Sequence, residues 1–260
     1  YLIRLAGNGG DFGNYTITFD GPEDITAPSP DPMDFETAPW GQAKDEMAMT
    51  AAEAADAGSP DIEYYFQFVD GGTGGDDSGW QAERDYVDVG LETNTEYGYA
   101  VKARDGVGNE TQYSPTTYAY TAAVKPGNPI VLAKTATTMT MQITTGANPA
   151  HTEIALQCVV TGDTAWSGKF VDADGNPSDV ETWQTAEGWG GAATAMGLTP
   201  DTNYCWRTKA RNGDGLETDY SGWICSRTEE GGLPGDMDCD GAVGFGDINT
   251  DQLGCGLAGC

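Results

Sequence analysis

LETNTEYGYAVKARDGVGNETQYS, residues 91–114, and LTPDTNYCWRTKARNGDGLETDYS, residues 198–221, are two versions of one segment. They align without a gap and share leucine, threonine, tyrosine, Lys-Ala-Arg, two glycines, Glu-Thr and Tyr-Ser at matched places. A repeat of this kind is most simply explained by two tandem domains of one fold. Glycine is abundant and long helical periodicities are missing, so the sequence predicts an all-β class.

The repeated pattern also resembles a known family. L-x-x-x-T-x-Y-x-hydrophobic-x-x-x-A-R, followed by a turn and Tyr-Ser, is similar to the E–F corner and the F and G strands of a fibronectin type III domain. The resemblance places Tyr97 and Tyr204 at the tyrosine-corner position, and each copy spans about the hundred residues that such a sandwich needs. It implies two tandem immunoglobulin-like, fibronectin type III-like β-sandwiches, at residues 32–122 and 123–229.

Alternating apolar side chains predict the strands that form the two cores. Tyr64, Phe66 and Phe68 share one strand face because successive side chains of a strand point to opposite sides. Three further positions with this spacing occur at Met139, Met141 and Ile143. Met47 and Met49 form a shorter pair, and we expect all of these side chains to be core rather than ligand surface.

Six cysteines without zinc-ligand spacing predict an oxidising compartment and a secreted or cell-surface protein. In the second repeat Tyr204 and Trp206 would face inward, which turns Cys205 outward and opposite Cys225 on the next strand. A Cys205–Cys225 bridge is therefore favoured, with Cys158–Cys205 as the competing assignment. Cys158 itself has the parity of an inward-facing, buried thiol.

Both ends of the chain differ from this pattern. Residues 1–20 alternate around a glycine-rich turn and predict a β-hairpin, which must pack on something else because a lone hairpin is marginal in water. The hairpin resembles the last strands of the bacterial pre-peptidase C-terminal β-sandwich, and we expect the chain to be a piece of a longer bacterial secreted modular protein. Residues 21–31 are a proline-rich linker.

The stretch GDMDCDGAVGFGDINTD, residues 235–251, has the spacing of an EF-hand calcium loop. Alternate carboxylates supply the oxygens that Ca²⁺ prefers, and Gly241 allows the bend. The predicted ligands are Asp236, Asp238, Asp240, the backbone carbonyl of Ala242 and Asp247. Aspartate at the last position resembles a dockerin type I loop, although residues 234–260 contain one loop where dockerins carry two. The alternatives are a disordered acidic tail and a disulfide-tied remnant in which Cys239 pairs with Cys255 or Cys260.

The charge balance limits the partners. Forty-one acidic residues against twelve basic ones give a net charge of −29, which would repel nucleic acids and anionic membranes. No apolar run is long enough to span a membrane. Divalent cations suit this charge, and a plain solubility shell is the alternative reading. The segment at 171–179 is predicted to be a polar turn.

No catalytic constellation is recognisable, because His151 is the only histidine and nothing near it in sequence completes a triad. The sequence therefore predicts a non-enzymatic extracellular structural or adhesion protein that self-associates or binds another extracellular protein, with residues 1–20 adding strands to a neighbour in a filament. The alternative is an accessory spacer or anchoring region of a large secreted hydrolase. Carbohydrate binding would use Trp80, Trp183 or Trp189 as stacking surfaces.

Overall fold

A computed structural model describes residues 23–232, which form two consecutive β-sandwiches and contain no helix. The predicted hairpin at 1–20, the calcium loop with Asp236, Asp238, Asp240, Ala242 and Asp247, and the cysteines beyond Cys225 lie outside the described residues. The all-β prediction of two tandem sandwiches is confirmed. No helix in the described part of the chain is long and apolar enough to cross a membrane.

The first sandwich has seven strands in two antiparallel sheets. One sheet has the order β1-β2-β5 and the other the order β4-β3-β6-β7. The strands are β1 (Phe35–Ala43), β2 (Glu46–Ala51), β3 (Glu63–Gly71), β4 (Trp80–Gln81), β5 (Asp85–Val89), β6 (Glu96–Arg104) and β7 (Thr117–Tyr120). In chain order these correspond to strands A, B, C, C′, E, F and G of a fibronectin type III-like sandwich.

The second sandwich repeats this arrangement with additional short strands. Its sheets have the orders β14-β9-β8 and β12-β11-β10-β15-β16, and β13 pairs with β10. The strands are β8 (Ile130–Lys134), β9 (Thr138–Gln142), β10 (Glu153–Val160), β11 (Phe170–Val171), β12 (Pro177–Ser178), β13 (Gln184–Thr185), β14 (Ala192–Met196), β15 (Asn203–Arg211) and β16 (Ile224–Arg227). The two copies of the repeated segment therefore occupy the same place, on β6 and β15.

Each sandwich has its own core, built from the alternating side chains that the sequence predicted. Met47, Met49, Tyr64 and Phe66 are buried in the first sandwich, and Phe68 packs against that core while partly exposed. The second core contains Met139, Met141, Ile143, Ile154, Leu156, Cys158, Tyr204, Trp206 and Ala210. Cys158 is a buried free thiol, as predicted, and burial raises its pKa beyond the usual range.

The tyrosine corners and the disulfide confirm how the repeats were placed on the fold. Tyr97 Oη accepts the Glu92 N–H at 2.8 Å, and Tyr204 Oη accepts the Thr199 N–H at 2.7 Å. Cys205 and Cys225 lie directly opposite each other on β15 and β16 and form a disulfide. Strand parity explains why Cys205 pairs with Cys225 and not with Cys158, because Cys158 faces the core and Cys205 faces away from it.

Candidate functional site

Asn94 connects the two sandwiches and occupies the turn between β5 and β6. Its φ of 45° lies in the left-handed region, which asparagine tolerates better than most residues. The Asn94 side chain donates from Nδ2 to Thr152 Oγ1 at 2.7 Å and accepts the Gly213 N–H at 2.9 Å. Its carbonyl oxygen accepts a hydrogen bond from His151 Nε2 at 2.6 Å. Asn94 is 1% exposed, so these partners replace water at a buried polar group.

The loop after β15 holds the end of β7 in a second set of contacts. Asn212 Nδ2 donates to the carbonyl oxygens of Tyr120 and Thr121, at 3.2 Å each. The Tyr120 N–H in turn donates to Asp214 Oδ2 at 2.7 Å. We call the set of Asn94, Tyr120, Thr121, His151, Thr152, Asn212, Gly213 and Asp214 the junction. The N–H group of Tyr120 and the carbonyl oxygens of Tyr120 and Thr121 are in this way bound to the second sandwich.

Close packing accompanies these hydrogen bonds. A Cβ on Gly213 would come 2.6 Å from the ring of Tyr120, a distance that real Cβ atoms essentially never show. The connecting chain is held as well: Asn148 accepts the Val124 N–H at 2.8 Å and donates to the Val124 carbonyl oxygen at 2.6 Å. A methyl group on Gly213 would therefore require the Tyr120 ring to move from its place in the junction.

An open polar cleft of about 660 Å³ lies beside the junction and includes His151, Glu153 and Arg211 in its lining. Its chemistry is that of a structural contact. His151 is bound to the Asn94 carbonyl oxygen, and Arg211 forms an ion pair with Glu153 at 2.5 Å. His151 thus contributes its Nε2 atom to the junction, and Cys158 is enclosed in the core.

The outer face of the first sandwich carries an array of cations on aromatic rings. Lys102 Nζ lies 5.1 Å and the Arg104 guanidinium 4.3 Å from the centre of the Trp80 ring. Lys102 also pairs with Glu110, and Arg104 with Glu63. Cations above an aromatic face are attracted by its quadrupole, about 0.5–1 kcal/mol at exposed sites.

The second sandwich carries the same array at the matched positions. Lys209 Nζ lies 5.3 Å and the Arg211 guanidinium 4.7 Å from the Trp183 ring centre, and the two cations pair with Glu217 and Glu153. The repeated Lys-Ala-Arg of the sequence is therefore explained by an alternation along β6 and β15. The two basic side chains cover the outer face, while the alanine between them faces the core.

The three tryptophans named as stacking surfaces for carbohydrate differ in their exposure. Trp189 is 7% exposed, because the turn that carries it packs onto the core and its indole N–H donates to the Ile154 carbonyl oxygen at 2.9 Å. Trp80 and Trp183 are half-buried with their rings beside cations. Carbohydrate binding at these two rings stays a prediction, and Trp189 is removed from it.

Two buried carboxylates differ in their titration. Burial raises the pKa of Asp163, but hydrogen bonds from Tyr204 Oη, Ala165 N–H and Thr199 Oγ1 outweigh it and hold the pKa below its usual value. For Asp88 burial prevails and the pKa is raised, although Tyr99 Oη donates to its Oδ2 at 2.7 Å. A tyrosine–aspartate contact thus occurs in each sandwich with opposite consequences for the acid.

The turn at 171–179 and the junction show what sequence patterns reveal and what they miss. Asp172 Oδ1 accepts the Asp174 and Asn176 N–H groups, which confirms the predicted polar turn. Asn94 was not predicted as a contact residue. Its only sequence signal is its position in the predicted E–F turn; in the structure the matched residue of the second repeat, Asp201, also has a left-handed φ, 51°.

The strand orders, the two tyrosine corners and the separate cores define a pair of fibronectin type III-like sandwiches. No protein-family model matches the sequence, and no curated protein matches it. The chain is similar to a solved two-domain fibronectin type III segment of chicken tenascin, with 13% identity over 78% of this chain and 99% of that chain and a TM-score of 0.41. It is also similar to the FN1–FN3 domains of chicken CNTN1, with 16% identity over 76% of this chain and 66% of that chain and a TM-score of 0.36.

Proposed function

We propose that this chain is a non-enzymatic extracellular structural or adhesion protein in which two sandwiches are held in series as a stiff unit. The observation that carries the proposal is the junction. Bending would separate Asn94 from Thr152, Gly213 and His151 and would leave buried polar groups unsatisfied. Each such loss costs about 1–3 kcal/mol, which is large against thermal energy.

Two further features support an extracellular setting. The Cys205–Cys225 disulfide is a bond that persists in oxidising compartments. A net charge of −29 keeps a secreted protein soluble and disfavours contact with nucleic acids. Of the residues that would serve acid–base or thiol chemistry, His151 is hydrogen-bonded to the Asn94 carbonyl oxygen and Cys158 is a free thiol buried in the core.

The proposal is tested with Gly213→Ala, which drives a methyl group into the Tyr120 ring. We expect small-angle scattering to show a broader distribution of interdomain distances, while hydrogen exchange inside both cores stays unchanged. Gly106→Ala is the matched control: Gly106 holds the same position in the first repeat, where the nearest atom is the rotatable Ser59 hydroxyl at 3.0 Å. An unchanged distance distribution for Gly213→Ala, with a correctly folded protein, would contradict the stiff unit.

Self-association through residues 1–20 extends the proposal to filaments. Edge strands with free backbone groups add readily to a neighbouring sheet, and a stiff two-sandwich unit would give a regular repeat. We expect electron microscopy to show polymers of the native protein. A variant that lacks residues 1–20 should form none. Polymers that persist after the deletion would remove the strand-donor role and leave binding to another extracellular protein.

A calcium-stabilised tail is the remaining part of the proposal. We propose that Asp236, Asp238, Asp240, the Ala242 carbonyl and Asp247 bind Ca²⁺, on the strength of their loop spacing. Chelation should speed hydrogen exchange in residues 234–260 and leave both sandwiches folded. Exchange that does not respond to Ca²⁺ would support the alternative of a plain acidic tail.

The same stiff unit would also serve as a spacer in a large secreted hydrolase, which is the second candidate function. The junction favours it because a fixed separation is what a spacer supplies. Mass analysis of the native protein distinguishes the two: a much longer chain with a catalytic domain indicates the spacer, and a chain near 27.4 kDa indicates the structural protein.

A further inference from the structure

The segment that leads into each sandwich, here called its incoming chain, is bound by chemically different side chains in the two sandwiches. In the second sandwich Asn212 and Asn148 meet the chain that arrives from the first. Both are neutral amides, and their Nδ2 groups donate to the carbonyl oxygens of Tyr120, Thr121 and Val124. An amide supplies donors as well as acceptors, so the contact is complete without any other group.

The matched edge of the first sandwich carries carboxylates. Asp105 occupies the position of Asn212 in the repeat, Asp56 lies in the loop between β2 and β3, and Asp24 belongs to the incoming chain. Oxygen atoms of these three side chains, here called the acidic trio, lie within 4.8 Å of one another. Ionised carboxylates are acceptors only, and like charges this close repel each other.

The incoming chain is held against this edge by backbone contacts. Ser29 exchanges two hydrogen bonds with Ala55, at 2.9 and 3.0 Å, and Asn109 Nδ2 donates to the Asp24 carbonyl oxygen at 3.0 Å. These contacts bring Asp24 to the carboxylates rather than leaving it free in solvent. The trio is therefore assembled by the fold from three separate parts of the chain.

The carboxylates are already oriented by their own turns, and Asp105 Oδ2 and Asp56 Oδ2 also accept hydrogen bonds, from Asn109 Nδ2 at 2.8 Å and from Thr26 Oγ1 at 3.4 Å. Asp105 Oδ1 accepts the N–H groups of Val107, Gly108 and Asn109, at 2.7–3.0 Å. Asp56 Oδ1 accepts the Gly58 and Ser59 N–H groups, and Asp24 Oδ1 accepts from Thr26. These turns fix the side chains before any ligand arrives, and the N–H groups of Ser59 and Gly58 also lower the pKa of Asp56.

Asp24 Oδ2 is the atom that points to a missing partner. It is fully buried, with less than 1 Å² exposed, and within residues 23–232 it has no hydrogen-bond partner. It is turned towards the Asp56 loop, because a Cβ on Gly58 would come 2.3 Å from it. Burying an acceptor without a partner is costly, and no salt bridge of the described residues includes any member of the trio.

We propose that the acidic trio binds a calcium ion that fixes the incoming chain to the first sandwich. Hard oxygen ligands select Ca²⁺ or Mg²⁺ over zinc, and three carboxylates on turns that share no rigid octahedral frame favour the larger ion with its variable coordination. The ion fills the role that the amides of Asn148 and Asn212 have in the second sandwich. This site is separate from the loop at 236–247 and does not depend on the stiff unit proposed above.

The test is hydrogen exchange of the full chain with and without CaCl₂. We expect Ca²⁺ to slow exchange in residues 23–32 by at least tenfold, with half-saturation on the order of 10⁻⁴–10⁻³ M, the range of extracellular modules. Residues 121–128, the incoming chain of the second sandwich, serve as the internal control and should not respond. The readout is local, so calcium bound at 236–247 does not contribute to it.

Variants make the result specific. Asp24→Asn/Asp56→Asn/Asp105→Asn reproduces in the first sandwich the amides found in the second, and it should abolish the response of residues 23–32. Asp61→Asn removes a carboxylate of the same loop that is not in the trio and should leave the response intact. If the triple variant misfolds, Asp56→Asn alone decides, since asparagine keeps the Oδ1 acceptor of its turn.

Three outcomes would overturn the site: no slowing of residues 23–32 in the parent chain, slowing that survives in the triple variant, or slowing with MgCl₂ equal to that with CaCl₂. The first two exclude a metal at the trio, and the third excludes calcium selectivity. None of them bears on the junction, which is tested by Gly213→Ala without any cation.

Discussion

The two sandwiches share a sequence motif and a strand order, yet they are secured by different chemistry. The second has a disulfide between its last two strands, a tyrosine corner that donates to a carboxylate, and an amide-lined entry. The first has no disulfide among the described residues, a tyrosine corner that donates to the Thr73 carbonyl oxygen, and an acidic entry. The comparison teaches that the repeated residues define the fold, whereas the residues that differ between the repeats determine how each copy is stabilised.

The disulfide should account for the largest difference between the copies. It closes a loop with a sequence separation of 20 residues, for which chain entropy predicts about 3 kcal/mol. Cys205→Ser/Cys225→Ser is expected to lower the free energy of unfolding of the second sandwich by that amount, measured by denaturant-dependent hydrogen exchange. The first sandwich is the control within the same molecule. A variant that leaves the second sandwich equally stable would show that the sheet contacts alone hold β16.

The tyrosine corners give a smaller contrast. Tyr204 Oη donates to the charged Asp163, and Tyr97 Oη donates to a neutral carbonyl at 2.7 Å. Hydrogen bonds to charged groups are worth about twice as much, so Tyr204→Phe should cost about 2 kcal/mol and Tyr97→Phe about 1 kcal/mol. The same exchange experiment reports both values. Equal costs would mean that the Asp163 contact adds nothing to the corner.

The smallest expected effect is on the pH dependence of stability, to which Asp163 and Asp88 should contribute with opposite signs. Because the folded-state pKa of Asp163 is lowered, its contribution is present above the unfolded-state pKa and is lost as the pH falls through the folded-state value. The folded-state pKa of Asp88 is raised, so its contribution is present at low pH and is lost as the pH rises through that value.

Unfolding of Asp163→Asn and Asp88→Asn, each compared with the parent chain between about pH 3 and pH 7, should therefore give slopes of opposite sign. The parent's advantage over Asp163→Asn grows as the pH rises, and its advantage over Asp88→Asn shrinks. Slopes of the same sign would contradict the opposite environments of these two acids.

Much of the fold can be predicted from the sequence because it depends on local rules. Alternation decides which side of a strand each residue faces, and it favours the Cys205–Cys225 bridge and a buried Cys158, while the competing Cys158–Cys205 bridge is excluded only by the structure. The tyrosine corner is a short pattern with fixed spacing, so the resemblance to fibronectin type III domains is enough to place Tyr97 and Tyr204. Trp189 was misjudged because it lies in a turn, where alternation does not apply and only packing decides exposure.

The candidate sites are less predictable because they depend on contacts between distant residues. Asn94 meets Gly213 across 119 positions, and a turn asparagine has no pattern that marks such a partner. Asp24 reaches Asp56 and Asp105 through the Ser29–Ala55 bridge, which lies outside any regular strand, and through the hydrogen bond from Asn109. Among 41 acidic residues these three have no distinguishing sequence signal.

The disulfide also determines how the second sandwich would respond to a pulling force. A force applied through the chain beyond Arg227 acts first on β16, the outer strand of its sheet, and would peel it from β15. The Cys205–Cys225 bond passes that load directly to β15 and prevents the segment between the two cysteines, a sequence separation of 20, from extending. About 70 Å of chain, at about 3.5 Å per residue, is thereby withheld from any extension, so the second sandwich would lengthen less than the first when it ruptures.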